Sequence, residues 1–288
     1  MLGRVLLAAS LLLSASAVRA QEATGRAIEP DVVYGHKAGM ALTFDVFPPT
    51  VESNRAGVIF VVSGGWFSRW SEPSTMVPLF QPLTSRGYTV FAVRHGSSPQ
   101  FTVPEAVADM RHAVRFIRSS AERFLIDPER IGVYGGSAGG HLSLMLGTTA
   151  DDGDDAASDT LAATSDRVQA VVALVPPTDL TVAIPGGSER LPAYDRFPGL
   201  EMDEETAATV SPLLHVTADD APTLLIAGVK DDLVPIKHSR WIHAAFEKAN
   251  VPTKLIEYPD SGHGLTPADM VKAVGEMTEW FDTYLLKK

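Results

Sequence analysis

Short runs of apolar residues alternate with amphipathic segments along most of this chain of 288 residues. Runs such as Val58 to Val62 and Ile131 to Tyr134 are continuously apolar, which is typical of strands buried on both faces of a sheet. Eight strands are predicted, near residues 32–34, 41–47, 58–62, 88–93, 131–134, 170–175, 223–227 and 254–258. Apolar positions spaced by three and four residues predict helices over 104–117 and 236–249 and from 267 onward. The sequence therefore predicts an α/β fold in which a mostly parallel eight-stranded sheet carries helices on both faces.

The first twenty residues predict a segment that directs export and is then removed. Arg4 supplies a positive charge ahead of an apolar stretch from Val5 to Leu13, and Val18-Arg19-Ala20 suits a cleavage site. A stretch this short does not cross a bilayer core of about 30 Å, which argues against a membrane anchor. We expect a signal peptide at 1–20, cleavage after Ala20, and a single exported domain over 21–288, periplasmic or extracellular.

The composition excludes several classes of function. The chain contains no cysteine, so disulfide bonds, thiolate metal sites, iron–sulfur clusters and a cysteine nucleophile are excluded. The formal net charge of -11 argues against nucleic acid as a partner, because phosphate binding needs clustered cations. The acidic stretch 151–159 lacks the closing glutamate of a calcium loop and predicts a solvated loop. We expect no metal ion, no organic cofactor and no membrane span.

The strongest chemical signal is the run Gly135-Gly136-Ser137-Ala138-Gly139, a G-x-S-x-G pattern. The pattern is weak by itself, but here it lies between an apolar strand and a helix-like segment that begins at Ala138. A sharp strand–turn–helix connection exposes the serine hydroxyl and places it at a helix N-terminus, where backbone N–H groups stabilise a developing oxyanion. Ser137 is therefore the predicted nucleophile.

A serine nucleophile needs a base, and the chain has eight histidines. His263 follows the last predicted strand in a loop where a glycine flanks it on each side, so its side chain can reach across the sheet edge. His141 lies one helical turn beyond Ser137 and is predicted to pack beneath the turn. His215 and His238 lie near loop ends and stay open as alternatives, whereas the other histidines are less suitably placed.

The acid that orients the base should lie between the serine and the histidine in chain order. Asp231 and Asp232 both follow the seventh predicted strand, and either carboxylate can hold an imidazole in the required tautomer. Asp179, after the sixth strand, is a third and weaker candidate.

Backbone N–H donors for an oxyanion are predicted on two segments. One donor is Ala138, directly after the nucleophile. The others are Gly64 and Gly65, because consecutive glycines after the third strand let the backbone approach a substrate closely. Three aromatic residues follow in the same loop and are predicted to line a substrate pocket: Trp66, Phe67 and Trp70.

Several motifs together resemble one superfamily. They are Tyr34…Leu42…Asp45-Val46-Phe47…Pro49, Ser63-Gly64-Gly65-Trp66, Gly135 to His141, Gly228-x-x-Asp231-x-x-Val234-Pro235 and Gly262-His263-Gly264. The chain resembles the α/β-hydrolases, and within them the bacterial carboxylesterases of the hormone-sensitive-lipase-like and feruloyl/acetyl-xylan-esterase-like groups. In those families the acid is the aspartate three residues before the Val-Pro pair, which implies Asp231. Their loop after the third strand usually reads His-Gly-Gly-Gly-Trp, whereas Val62 and Ser63 occupy its leading positions here.

The resemblance implies an α/β-hydrolase fold and a secreted serine carboxylesterase that works through an acyl-enzyme without a cofactor. Segment 179–212 is predicted to form a small cap, and it lacks the long amphipathic helix of a lipid-activated lid. Short acyl esters or plant-cell-wall esters, acetyl or feruloyl, are the expected substrates, as small molecules or linked to polysaccharide. The alternatives are a prolyl-oligopeptidase-like serine peptidase and a non-catalytic binding member of the fold.

Overall fold

One mixed sheet organises the molecule. The structure, a computed structural model, describes residues 26–154 and 156–286, and the predicted signal peptide at 1–20 lies outside the described residues. The strands are β1 (Glu29–Lys37), β2 (Met40–Phe47), β3 (Gly57–Val61), β4 (Thr89–Val93), β5 (Ile131–Gly136), β6 (Ala170–Leu174), β7 (Thr223–Gly228) and β8 (Thr253–Tyr258). Their order across the sheet is β1-β2-β4-β3-β5-β6-β7-β8. The pairs β1–β2 and β2–β4 are antiparallel and the other neighbours are parallel, so the prediction of a mostly parallel eight-stranded sheet is confirmed.

Helices fill most of the connections between the parallel strands. They are α1 (Pro73–Thr84), α2 (Val103–Ser119), α3 (Ala121–Phe124), α4 (Ala138–Thr148), α5 (Glu204–Thr209), α6 (Lys237–Ala249) and α7 (Pro267–Phe281). The predicted helices coincide with α2, α6 and α7. Helix α1 was not predicted, because its two internal prolines, Pro78 and Pro82, are unfavourable inside a helix. In the part of the chain that the structure describes, no helix is long and apolar enough to cross a membrane.

The sheet is buried on both faces, as the continuous apolar runs predict. One face packs against α2, α4 and α6, and the other packs against α1 and α7. In β5 the side chains alternate between these two layers: Ile131 and Val133 point to the first, and Tyr134 points to the second. The alternation explains why such strands show no polar face in the sequence.

The parallel arrangement gathers the candidate functional residues at one edge of the sheet. Strands β3, β5, β7 and β8 are mutually parallel, so their carboxyl ends all open toward the same edge. Ser137 follows β5, Asp231 follows β7, His263 follows β8 and Gly64 follows β3. This edge is where open α/β sheets bind their ligands.

The turn between β5 and α4 depends on a close backbone approach at Gly135. A Cβ atom at this position would lie 2.5 Å from the carbonyl carbon of Gly139, whereas a Cβ at Gly136 would meet no atom within 4 Å. We predict that Gly135→Ala lowers the free energy of unfolding by about 1–3 kcal/mol, because the backbone cannot yield without moving α4. Gly136→Ala is the matched control and should change it by less than about 0.5 kcal/mol. Urea unfolding of both variants measures the difference, and equal stabilities would contradict the account.

Candidate active site

Ser137 occupies the turn between β5 and α4, and its backbone has a conformation that residues other than glycine rarely adopt. Its φ is 54° and its ψ is -120°. The Ser137 N–H donates to the carbonyl of Leu174 at 2.8 Å, which ties the turn to the neighbouring strand β6. The strained conformation holds the serine at the N-terminus of α4 and beside a cavity, as the G-x-S-x-G pattern predicts.

Three side chains from separate loops form one hydrogen-bonded chain. The Ser137 hydroxyl donates to Nε2 of His263 at 3.0 Å. Nδ1 of His263 lies 2.9 Å from Oδ2 of Asp231, and since a carboxylate only accepts, Nδ1 carries the proton. This tautomer leaves Nε2 free to accept the serine proton, so the arrangement can activate the hydroxyl.

The structure distinguishes between the two adjacent aspartates after β7. The Asp231 side chain is 1% exposed, and its Oδ1 accepts the N–H groups of Leu233 at 3.0 Å and Val234 at 2.8 Å. Asp232 is exposed and has no hydrogen bond to the described residues. Asp179 accepts the N–H of Thr181 instead and does not contact His263. Asp231 is therefore the carboxylate that orients this histidine.

Two further histidines near the serine, His141 and His238, are buried. Nδ1 of His141 accepts the indole N–H of Trp66 at 3.2 Å, and its Nε2 donates to the carbonyl of Val210 at 2.7 Å. Burial lowers the pKa of His141 to about 4, and burial likewise lowers the pKa of His238 to about 4. Both imidazoles are therefore neutral near pH 7, which leaves His263 as the histidine in contact with the serine.

The loop after β3 makes a tight turn, and this turn uses the N–H group of one predicted oxyanion donor. Gly64 donates its N–H to the carbonyl of Phe67 at 3.0 Å and accepts the Phe67 N–H in return. Gly65 and Trp66 occupy the two central positions with φ of 58° and 60°, as in a type I′ turn. The prediction of a donor at Gly64 is wrong in this structure, because its N–H is already bonded.

Two N–H groups stay available beside the serine. The Gly65 N–H has no acceptor among the described residues, and Gly65 borders the same cavity as Ser137. The Ala138 N–H begins α4 and so has no acceptor within the helix. These two donors come from the two segments that the sequence predicts.

The tight turn also separates the three aromatic residues of the loop. Trp66 borders the cavity at Ser137. Phe67 and Trp70 do not border it, so the structure does not bring these two predicted pocket residues to the cavity at Ser137. The reversal at Gly65 and Trp66 directs the following chain away from the serine, and Trp70 is 55% exposed beside a different concavity that includes Arg94.

The cavity at Ser137 has a volume of about 410 Å³, including its opening to solvent. Segment 179–212 contributes much of its wall, and this wall is apolar: Leu180, Ala183, Tyr194, Phe197 and Leu200. Leu233, Val234 and His238 complete another side. Sequence patterns do not single out these residues, because the segment consists of short 3₁₀ turns and the short helix α5 without a regular apolar repeat.

Comparison with known proteins places the chain in a family. The profile of the family BD-FAE matches residues 44–246, which is more than half of the chain. The chain belongs to the BD-FAE family. Esterase LipQ of Mycobacterium tuberculosis (strain ATCC 25618 / H37Rv) is 27% identical over 256 residues, covering 84% of this chain and 58% of LipQ. The chain thus spans about half the length of the curated relatives that it matches.

Solved structures similar to this BD-FAE member share its architecture over nearly the whole chain. A truncated carbohydrate esterase from gut microbiota has a TM-score of 0.75 and 26% identity, covering 92% of this chain and 99% of that protein. An acetyl ester-xyloside bifunctional hydrolase from Caldicellulosiruptor lactoaceticus has a TM-score of 0.74 and 26% identity, covering 91% and 97%. The predicted α/β-hydrolase fold is confirmed.

The different contacts of Asp231 and Asp232 predict different effects of substituting each aspartate in this BD-FAE member. Asp231→Asn should lower kcat for ester hydrolysis by roughly 10³–10⁴-fold, because an amide favours the wrong imidazole tautomer and does not stabilise the imidazolium. Asp232→Asn is the matched control and should stay within twofold of the wild type. Steady-state kinetics on p-nitrophenyl acetate measure both, and the reverse order of effects would assign the acid to Asp232.

Proposed function

We propose that this protein is a serine carboxylesterase that hydrolyses its substrate through an acyl-enzyme. The observation that carries the proposal is the hydrogen-bonded chain Ser137–His263–Asp231 at the wall of an apolar cavity. The membership of the BD-FAE family and the esterase relatives support it.

In the first step, Nε2 of His263 takes the hydroxyl proton while Oγ of Ser137 forms a bond to the carbonyl carbon of the ester. The carbonyl π-electron pair moves to the oxygen, which becomes an oxyanion. The negative Asp231 carboxylate, whose Oδ2 lies 2.9 Å from Nδ1 of His263, stabilises the positive imidazolium. Its side chain is buried, so solvent screens this interaction little.

The oxyanion receives hydrogen bonds from the N–H groups of Ala138 and Gly65. The donor at Ala138 also lies at the positive end of the α4 dipole. Donors of this kind are each worth about 3 kcal/mol in the transition state of acyl transfer.

The tetrahedral species then collapses. The bond to the alcohol oxygen breaks as His263 returns its proton to that oxygen, which leaves the acyl group on Ser137. Water next gives a proton to His263 and attacks the acyl carbon. A second collapse returns that proton to Ser137 Oγ and releases the carboxylic acid.

The proposed substrates are short acyl esters or plant-cell-wall esters with acetyl or feruloyl groups. The apolar wall from segment 179–212 supports an acyl pocket of limited length, and we interpret this segment as a cap. The two similar structures described as a carbohydrate esterase and an acetyl ester-xyloside hydrolase support an ester on a sugar. Export to the periplasm or the extracellular space is part of the proposal and depends on the sequence of residues 1–20.

The proposed function is tested with p-nitrophenyl acetate, butyrate and octanoate, methyl ferulate and a proline-linked peptide chromogen. The wild type should hydrolyse the short esters, and Ser137→Ala should lose at least about 10⁴-fold in kcat. The exposed Ser119→Ala at the end of α2 is the matched control and should keep wild-type rates. Full esterase activity in Ser137→Ala would end the assignment, and turnover of the peptide alone would favour a peptidase.

The proposed cap gives a test of acyl-chain selection. Phe197 borders the cavity and packs against Gly65, where an added Cβ would lie 2.5 Å from its ring. Phe197→Ala should raise the ratio of kcat/KM for octanoate to that for acetate by roughly tenfold, because the longer chain gains space. Leu214→Ala, at an exposed leucine outside the cavity, should leave the ratio unchanged. An unchanged ratio in Phe197→Ala would contradict the role of this wall.

A further inference from the structure

A histidine that follows another strand contacts the loop after β3 directly before its tight turn. Val62 and Ser63 occupy the leading positions of the loop. Oγ of Ser63 lies 2.9 Å from Nε2 of His95, which follows β4. The contact arises because β3 and β4 are paired in parallel through Val61 and Val93, so residues two positions beyond this pair lie side by side.

The direction of this hydrogen bond follows from the other ring nitrogen. Nδ1 of His95 lies 2.8 Å from the carbonyl oxygen of Gly96. A carbonyl only accepts, so Nδ1 carries the proton and Nε2 presents a lone pair. Ser63 therefore donates its hydroxyl proton to His95, and His95 is buried with 4% exposure, where burial also lowers its pKa and favours this neutral form.

The chain around His95 holds the oxyanion loop at further points. The Ser68 hydroxyl donates to the carbonyl of Val62 at 2.6 Å and accepts the backbone N–H of His95 at 3.3 Å. The N–H of Ser98 donates to the carbonyl of Trp66 at 3.0 Å. The Ser63–His95 bond is the part of this set that fixes the residue directly before the tight turn.

We propose that His95 is a positioning residue that holds Ser63, and through it the turn that presents the Gly65 N–H to the oxyanion. The inference rests on the proposed function, because it assigns a role in stabilising that oxyanion. His95 acts on the loop and does not touch the substrate. Its effect should therefore appear in the transition state and leave substrate binding unchanged.

The variants remove the donor, remove the acceptor or restore the acceptor. Ser63→Ala deletes the donating hydroxyl, and His95→Leu removes the accepting ring nitrogen. Each single variant should lower kcat for p-nitrophenyl acetate by roughly tenfold, with KM within twofold. The double variant should lower kcat by about the same factor as a single variant, because both substitutions remove the same hydrogen bond. His95→Gln places an amide oxygen near the position of Nε2 and should recover most of the rate.

A control and a second readout separate positioning from general destabilisation. His112→Leu removes a histidine hydrogen bond to the carbonyl of Tyr34, 2.9 Å long, in a part of the fold that does not border the cavity. It should lower the unfolding midpoint and leave kcat unchanged. A trifluoromethyl ketone, which forms an oxyanion on the enzyme, should bind Ser63→Ala more weakly by the factor that kcat/KM falls.

The outcomes discriminate between the two proposals. An active wild type with Ser63→Ala within twofold of its kcat, or an unchanged inhibition constant for the ketone in Ser63→Ala, would overturn the inference and leave the proposed function intact. Additive losses in the double variant would also overturn it. A wild type that hydrolyses no ester would overturn the proposed function and the inference together. The kcat and the ketone inhibition constant of Ser63→Ala decide the question even if His95→Leu does not fold.

Discussion

The sharp turn at Ser137 is the constraint on which the rest of the site depends. With φ at 54°, the serine leaves β5 and enters α4 without an intervening loop. Such a connection forms only where Gly135 and Gly139 let the backbone of the strand and the helix approach each other. The same geometry brings the hydroxyl to His263, and in the proposed mechanism it offers the Ala138 N–H to the oxyanion. One backbone conformation thus positions both the proposed nucleophile and one of its proposed stabilising donors.

Asp231 shows how the fold supports a buried charge beside this turn. Its side chain is 1% exposed, so water does not stabilise the carboxylate. Two backbone N–H groups and the Nδ1–H of His263 supply the hydrogen bonds that burial would otherwise leave unsatisfied. The remaining interaction, with the imidazolium, strengthens only when His263 has accepted a proton. In the proposed mechanism, the low exposure therefore favours the charge distribution of the transition state over that of the resting site.

The sequence predicted the elements whose signals are local and continuous. Apolar runs identified the strands, and the order of elements placed Ser137, Asp231 and His263 at the ends of parallel strands, where the structure brings them together. The state of the Gly64 N–H and the direction of Trp70 were not predictable, because both depend on two positive φ angles within one turn. The cavity wall around Phe197 was missed because 3₁₀ turns carry no apolar period. The Ser63–His95 contact follows from strand register, which a single sequence does not reveal.

The most direct test of the account is covalent labelling of the nucleophile. Paraoxon transfers a diethylphosphoryl group to an activated serine and releases p-nitrophenol, and peptide mass mapping locates the adduct. We expect one adduct, on the peptide that contains Ser137, and a loss of esterase activity in proportion to the labelled fraction. Retained activity in fully labelled protein, or inactivation with the adduct on another residue, would contradict it.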